Sequence, residues 1–449
     1  MTSADTIFAL SSARGKAGVS VFRISGPRAA EVLVNLTGRQ LPPPRQASLR
    51  TLKDQAGDVI DQALVLWFKG PSSFTGEDTL ELHVHGSRAV LDALAETLTN
   101  IRGLRPADPG EFTRRAFGNA RLDLTQAEGL SDLIAAETTE QRRLALRQMQ
   151  GGLREQVDAW RRTLIRAGAH LEACIDFPEE EIPEGLVGGV ATTVAALRAD
   201  LAHHLADARR GEIIRDGFTV VILGAPNVGK SSLLNALARR DVAIVSAIPG
   251  TTRDTVEVQL DLAGYAVTLI DTAGLRETTD EIEIEGMRRS RARAADADLR
   301  LLVTSCLGDG VDSRVTASIP AHDALILNKC DLQPQRTQAT PPGDVPVIHV
   351  SARTGEGLDG LVAWLSAEVV SRAGTSEAMP LTRARHRHAL QAVIHHLDRF
   401  LANTTGAAAH LDILAEDLRM AGRELGRITG RIDVEDHLDV IFREFCIGK

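Results

Sequence analysis

Cysteine is scarce and scattered. Only Cys174, Cys306, Cys330 and Cys446 occur in 449 residues, with no C-x-x-C pair. That spacing suggests neither a disulfide framework nor a structural zinc site, and free thiols suit a reducing compartment. Long apolar runs are missing as well: stretches such as Phe218 to Leu223 are strand-length, so no membrane association is expected. The first residues lack the basic-then-apolar layout of a signal peptide, which makes the cytoplasm the expected location. Positive charge is not in excess. A net charge of -9 argues against wholesale wrapping of nucleic acid, because counterion release needs clustered Lys and Arg facing phosphate. Two local basic clusters, Arg288, Arg289, Arg291 and Arg293, and Arg383, Arg385 and Arg387, read most simply as solvated helix faces. No internal repeat is present.

What remains is a chain with 43% hydrophobic and 25% charged residues, enough to bury substantial cores in roughly two to four domains. Up to about Arg115, short β-like runs (Val19 to Ile24, Ala63 to Phe68, Thr79 to His85) alternate with amphipathic helical stretches (Arg28 to Leu36, Ser87 to Leu98), the pattern of an α+β domain. From about Leu122 to Arg215 the periodicity is that of long helices, broken near Phe177 to Gly189. A strand at Thr219 to Leu223 then opens an alternation of strands and helices that runs to about Val370, as in a doubly wound parallel sheet. After Gly374 to Pro380, helical periodicity resumes. The expected fold is therefore multidomain α/β and α, with the α/β domain inserted in one discontinuous helical domain. The expected boundaries are 1–118, 119–215, 216–372 and 373–449.

The strand Thr219 to Leu223 runs into Gly224-Ala225-Pro226-Asn227-Val228-Gly229-Lys230-Ser231, and a helix follows from Ser232. This is a P-loop in its required strand-to-helix context. Its glycines let backbone N–H groups curl around phosphate, the helix N-terminus adds a favourable dipole, Lys230 reaches the terminal phosphates and Ser231 ligates Mg²⁺. Asp271-Thr272-Ala273-Gly274 ends a later β-like run, where a carboxylate suits the Mg²⁺ shell and Gly274 can approach the γ-phosphate. Asn328-Lys329-Cys330-Asp331 follows the apolar run Ala324 to Leu327. The Asp331 carboxylate can accept from guanine N1 and N2, a donor pair adenine lacks, which selects GTP over ATP. Ser351-Ala352-Arg353 completes the base pocket. Between the first two motifs, Pro249-Gly250-Thr251-Thr252-Arg253-Asp254 supplies a threonine for a switch loop that grips Mg²⁺ when the γ-phosphate is present.

One departure matters for mechanism. After Gly274 many GTPases place a glutamine that orients the attacking water, but this chain has Leu275, which cannot hydrogen-bond through its side chain. Another group must act, and spacing leaves Glu281, Glu283 and Glu285 open; each also reads as part of an acidic helix start.

The chain also contains Gly-Val-Ser-Val-Phe-Arg-Ile-Ser-Gly at 18–26, Phe-Thr-Gly-Glu-Asp at 74–78, Pro-Gly-Glu-Phe-Thr at 109–113, Leu-Asp-Leu-Thr-Gln-Ala-Glu at 122–128 and Phe-Cys-Ile-Gly-Lys at 445–449. With these stretches and the GTPase motifs, it resembles across nearly its whole length the bacterial and organellar tRNA-modification GTPase family called MnmE or TrmE. The resemblance implies that the N-terminal domain binds a formyl-tetrahydrofolate and forms a homodimer. It further implies that, with a flavin-dependent partner of the MnmG/GidA family in a heterotetramer, the protein installs an aminomethyl or carboxymethylaminomethyl group at C5 of the wobble uridine of tRNA. Residue by residue, it assigns K⁺ to Asn227, Ser246, Ile248 and Thr251, and Mg²⁺ to Ser231 and Thr252, with Asp271 as a ligand or just behind one. GTP contacts fall on Asn227 to Ser232, on Ser246, Ala247, Ile248, Pro249, Gly250, Thr251 and Thr252, and on the motifs above. Glu283 is the glutamate that positions the catalytic water, acting when two GTPase domains meet. Folate contacts transfer to Arg23, Glu81, Arg121 and Lys449, with Arg121 replacing a lysine by a planar fork.

Two further features read from the residues alone. Glu81, His83 and His85 share one face of a strand, which permits a metal site, although a ligand-facing or solvated polar face is the simpler reading. The Cys446 thiol could act as a catalytic nucleophile if its pKa were lowered, against simple packing as the alternative. The competing functions are a GTP-dependent assembly switch, for example on ribosomes, and a metal-dependent hydrolase built on His83 and His85.

Overall fold

The computed structural model describes residues 5–13, 15–176, 186–225, 227–240, 242–244, 257–271, 297–306, 324–332, 345–374, 379–404, 410–432, 442 and 448. The strands are β1 Thr6–Leu10, β2 Ala17–Ser25, β3 Ser48–Lys53, β4 Val59–Phe68, β5 Thr79–Gly86, β6 Leu104–Pro106, β7 Phe218–Leu223, β8 Glu257–Leu262, β9 Tyr265–Asp271, β10 Leu299–Ser305, β11 Ala324–Asn328 and β12 Val347–His349. The helices are α1 Ala29–Thr37, α2 Arg88–Thr99, α3 Glu111–Gly118, α4 Leu124–Ala135, α5 Thr139–Met149, α6 Gly152–Asp176, α7 Leu186–Ala206, α8 Ala208–Asp216, α9 Lys230–Ala238, α10 Leu358–Ala373, α11 Ala384–Asn403 and α12 Leu411–Thr429. They group into two compact units. One comprises Met1–Ser131, Gln148–Arg198 and Ala389–Lys449; the other comprises Asp132–Arg147 and Ala199–His388.

In the first unit, period-2 patterning builds a six-stranded sheet in the order β3-β4-β5-β2-β1-β6. Neighbours are antiparallel except β1 and β6, which run parallel. Phe22 and Ile24 of β2 and Leu80 and Leu82 of β5 are buried under Val32, Leu33 and Leu36 of α1 and Leu94 and Leu98 of α2. Ser87 starts α2, its hydroxyl accepting from the Val90 N–H at 3.3 Å, which satisfies one of the helix's orphan donors. The intervening residues Arg23 and Glu81 face the other way, paired across β2 and β5.

Helix α6 buries Leu153, Val157, Trp160, Leu164, Ala167 and Leu171, alternating steps of four and three that keep one seam on one side. That seam packs along α12, which buries Leu414, Leu418, Ala421, Leu425 and Ile428. Each large aliphatic side chain removed from water there contributes roughly 1.5–3 kcal/mol.

The second unit is organised by a sheet in the order β12-β11-β10-β7-β9-β8. All neighbours are parallel except β8 and β9, which are joined through Ala263 and Gly264, both at positive φ (55° and 89°), as a tight hairpin turn requires. The near-continuous apolar runs of β7, β10 and β11 fit strands covered on both faces. The chain passes from β7 to β8 and β9 on one side and then from β9 to β10 on the other side of β7, so the carboxyl end of β7 lies where strand order reverses, the usual ligand position in open α/β sheets. Among the described residues no helix is long and apolar enough to cross a membrane.

Candidate functional site

The loop after β7 is shaped by what its residues cannot have. Gly224 has φ +147° and a side chain there would collide with the Val303 carbonyl; Gly229 has φ +95° and would collide with the Asn328 side-chain amide. Asn227 also takes positive φ, 64°, a region this residue tolerates better than most. The turn delivers Lys230 to the first position of α9. Its ammonium donates to the carbonyls of Gly224 (2.8 Å) and Ala225 (2.9 Å). Burial pulls the Lys230 pKa below the ordinary lysine value, and nearby Asp271 opposes that shift. Next to it, the Ser231 hydroxyl donates to Asp271 Oδ2 at 2.7 Å, and Asp271 is buried. Two hard oxygen donors side by side at a P-loop fit Mg²⁺.

Asn328 ties this loop to the other two motifs. Its side-chain NH₂ donates to the Val228 carbonyl at 3.0 Å, while its Oδ1 accepts from the N–H groups of Lys329 (2.8 Å) and Ala352 (3.1 Å). Lys329 Nζ donates to the Asn227 carbonyl at 2.7 Å. The Ser351 hydroxyl donates to Asp331 Oδ1 at 2.7 Å, and Arg353 Nε lies 3.8 Å from Asp331 Oδ2. Ser232, on the exposed side of α9, lines with Ala352 and Arg353 an open depression beside this cluster. Residues 224–225, 227–232, 271, 328–331 and 351–353 thus meet at one edge of the sheet. Ser246, Ala247, Ile248, Pro249, Gly250, Thr251, Thr252, Thr272, Ala273, Gly274, Leu275, Glu281, Glu283 and Glu285 lie outside the described residues, as do Cys446 and Lys449.

In the N-terminal sheet, the Arg23 guanidinium donates to Glu81 Oε1 through Nε (3.0 Å) and Nη2 (2.9 Å). Its carbon lies 5.4 Å from the Phe74 ring centroid and 5.9 Å from that of Phe112, within cation–π range. A side chain on Gly76 would meet the Arg121 stem at 3.3 Å, so the loop Phe74 to Asp78 touches both Arg23 and Arg121. Gly448 is anchored nearby: its carbonyl accepts from the Ser11 hydroxyl at 2.9 Å, one residue beyond β1, the strand paired with β2. Phe74 and Phe112 both lie in stretches that carry the family resemblance, but nothing in the sequence pairs them with Arg23; only the fold brings them there.

Glu81, His83 and His85 do not gather into a three-ligand set. His83 Nε2 is 3.5 Å from Glu81 Oε2, but the His85 ring engages Asp61 at 2.8 Å. Burial works to raise the Asp61 pKa and is outweighed by hydrogen bonds from the His85 amide and ring and the Gln62 amide, leaving it below the ordinary value. The cysteines depart from what their spacing suggested: Cys306 Sγ and Cys330 Sγ lie 2.7 Å apart. Distance along the chain hid this because adjacent parallel strands are joined by long crossovers. Burial, and then the Cys330 contact, push the Cys306 thiol up to about 12.

Two family patterns match the sequence. The TrmE N-terminus, described as that of a GTP-binding protein, matches residues 6–121, and the MnmE helical domain matches residues 124–446. The chain belongs to the MnmE family. A tRNA modification GTPase MnmE from Paramagnetospirillum magneticum is 53% identical over 99% of this chain and 100% of its own length. The MnmE of Parvibaculum lavamentivorans is 51% identical over the same shares. Among solved structures, the G domain of the T. maritima FeoB iron transporter is 28% identical, covering 35% of this chain and 99% of that one, with a TM-score of 0.26.

Proposed function

We propose that the chain is a GTP-hydrolysing enzyme of tRNA modification. The observation that carries the nucleotide half is the Asn328 amide, which holds the phosphate loop, the Asp331 turn and the Ser351 loop in one cluster. The tRNA half is supported by full-length likeness to relatives named for that role. Lys230 would exchange the Gly224 and Ala225 carbonyls for phosphate oxygens, Ser231 and Asp271 would hold Mg²⁺, and Asp331 would accept from guanine. The Asn227 side chain would face K⁺ together with Ser246, Ile248 and Thr251. Bound there, K⁺ supplies positive charge to the phosphates, the part an arginine finger plays elsewhere. With Leu275 unable to orient water, Glu283 takes that role when two GTPase domains meet in the homodimer.

The finer reading places the GTPase domain at 216–372 as an insertion between helical parts 119–215 and 373–449. The helical-domain match supports it by beginning at 124 and ending at 446. A formyl-tetrahydrofolate would sit against Arg23, Glu81 and Arg121. The flat cation over Phe74 and Phe112 and the carboxylate beside it offer a stacking surface and an acceptor for a planar heteroaromatic ring. The anchored Gly448 supports Lys449 joining this site, with Cys446 near enough in sequence to serve as a nucleophile. The reaction is C5 modification of the wobble uridine in the cytoplasm with a flavin-dependent partner.

The test is mass spectrometry of tRNA from a deletion strain. Loss of the C5-modified wobble uridine, restored by the wild-type gene and not by Lys230→Ala, is expected. Unaltered wobble uridine would leave the assembly switch as the better reading.

A further inference from the structure

Three adjacent parallel strands, β10, β11 and β12, end at the same edge of the second unit's sheet. Each contributes one soft or borderline ligand: Cys306 just past β10, Cys330 in the 3₁₀ turn Cys330–Leu332 after β11, and His349 at the last position of β12. The backbone fixes all three. Ser305 pairs with Asn328 and Leu327 with His349, the Cys306 N–H donates to the Asn328 carbonyl (2.9 Å), and the Cys330 N–H donates to the Val350 carbonyl (3.2 Å). The ligand atoms Cys306 Sγ, Cys330 Sγ and one His349 ring nitrogen lie within 4.8 Å of one another, and the Cys330 Sγ to His349 Nδ1 distance is 3.7 Å.

We propose that Cys306, Cys330 and His349 form a binding site for a thiophilic divalent cation of the zinc class, with its fourth position open to a water. A tetrahedral ion with sulfur at about 2.3 Å and nitrogen at about 2.0–2.1 Å needs an S···N edge of about 3.5 Å and an S···S edge of about 3.8 Å. The cysteine–histidine edge is already close to that value. The two sulfurs must part by about 1 Å, a small rotation of either side chain. The surroundings suit such an ion. Leu302, Leu325 and Leu327 are buried against Cys306, with Leu223 and Val347 packed beside them, and two thiolates, a neutral imidazole and a divalent cation sum to zero charge, the only total an apolar wall accepts cheaply. Cys306 is buried while Cys330 and His349 are partly exposed, which leaves an approach from solvent. Binding exchanges two thiol protons for one cation. Because Cys330 stands between Lys329 and Asp331, an ion here would brace the turn that carries the guanine-reading carboxylate.

The experiment is a Co²⁺ titration of the reduced full-length protein in the presence of Mg²⁺ and GDP, followed by thiolate-to-cobalt charge-transfer absorption. Cobalt in the Ser231 and Asp271 pair gives no such band, because its ligands there are oxygen. Expected is a band saturating at one equivalent and abolished by Zn²⁺. It should be absent from Cys306→Ser and Cys330→Ser, while His349→Ala should keep it with affinity weakened roughly tenfold or more. Circular dichroism confirms that each variant is folded, and Cys306→Val replaces Cys306→Ser if the serine unfolds the buried position. The proposal is overturned by the absence of a band in the wild type, by a band that survives in both cysteine variants, or by a Cys306–Cys330 disulfide that persists under reductant.

Discussion

The nucleotide loops and the N-terminal sheet are held together by different kinds of bond. At the P-loop, the side chains of Lys230, Asn328 and Lys329 all end on backbone carbonyls or amides. In the N-terminal sheet the ties run charge to charge: Arg23 to Glu81, and Arg105 and Arg115 to Glu111. A backbone-held site needs particular residues at consecutive positions, because φ and ψ are set locally; Gly224, Asn227 and Gly229 could not be moved along the chain. A charge-held site needs only the right pair from anywhere, as Arg23 and Glu81 show from 58 residues apart.

This difference can be broken at either end. The largest effect is expected from Asp331→Asn, which removes the acceptor pair for guanine N1 and N2. Competition binding should show GTP affinity falling by a factor on the order of 10⁴, with xanthosine triphosphate gaining, because its C2 oxygen can accept from the new amide. A loss shared equally by both nucleotides would mean that Asp331 only braces Ser351. Next, Glu283→Ala should lower GTP turnover by a factor on the order of 10²–10⁴ with GDP affinity nearly unchanged, and wild-type turnover should be faster in K⁺ than in Na⁺. Equal rates in the two salts would remove K⁺ from the site.

Legibility followed the same line. The strands β2, β4, β5, β7, β9 and β11 are readable because their alternating or continuous apolar runs are local properties. By contrast, β3 gives no such signal: Ser48–Lys53 is a mostly polar edge strand. The P-loop, Asp271, Asn328 and Asp331 could be named from contiguous motifs. The Phe74 and Phe112 faces under Arg23, the Asp61 partner of His85 and the meeting of Cys306 with Cys330 could not, since each depends on which strands become neighbours.

A smaller test addresses the N-terminal side. Arg23→Ala should weaken formyl-tetrahydrofolate binding about 10- to 100-fold, the loss of a charged hydrogen-bonded contact, while GTP hydrolysis changes less than about twofold, as expected for sites without a shared partner. Comparable losses in both would show that the two sites are energetically linked. Smallest is a stability effect at Glu111. Burial tends to raise its pKa, but hydrogen bonds from Arg105, the Asp108 amide and Arg115 prevail and hold it below the ordinary value of 4.5. Its contribution is therefore complete above about pH 4.5 and is lost as pH falls through the lower folded value. Glu111→Gln should cost about 1–2 kcal/mol at pH 7 by urea unfolding, and the gap to the wild type should narrow on acidification. A gap independent of pH would assign the loss to packing.

The bond between Ser231 and Asp271 carries a consequence for order of arrival. Each group already satisfies the other at 2.7 Å, so a bare cation would have to break that bond with only two protein oxygens in return. Under the roles proposed for them, Mg²⁺ gains enough by entering with phosphate oxygens attached, and metal and nucleotide reach this protein as one complex.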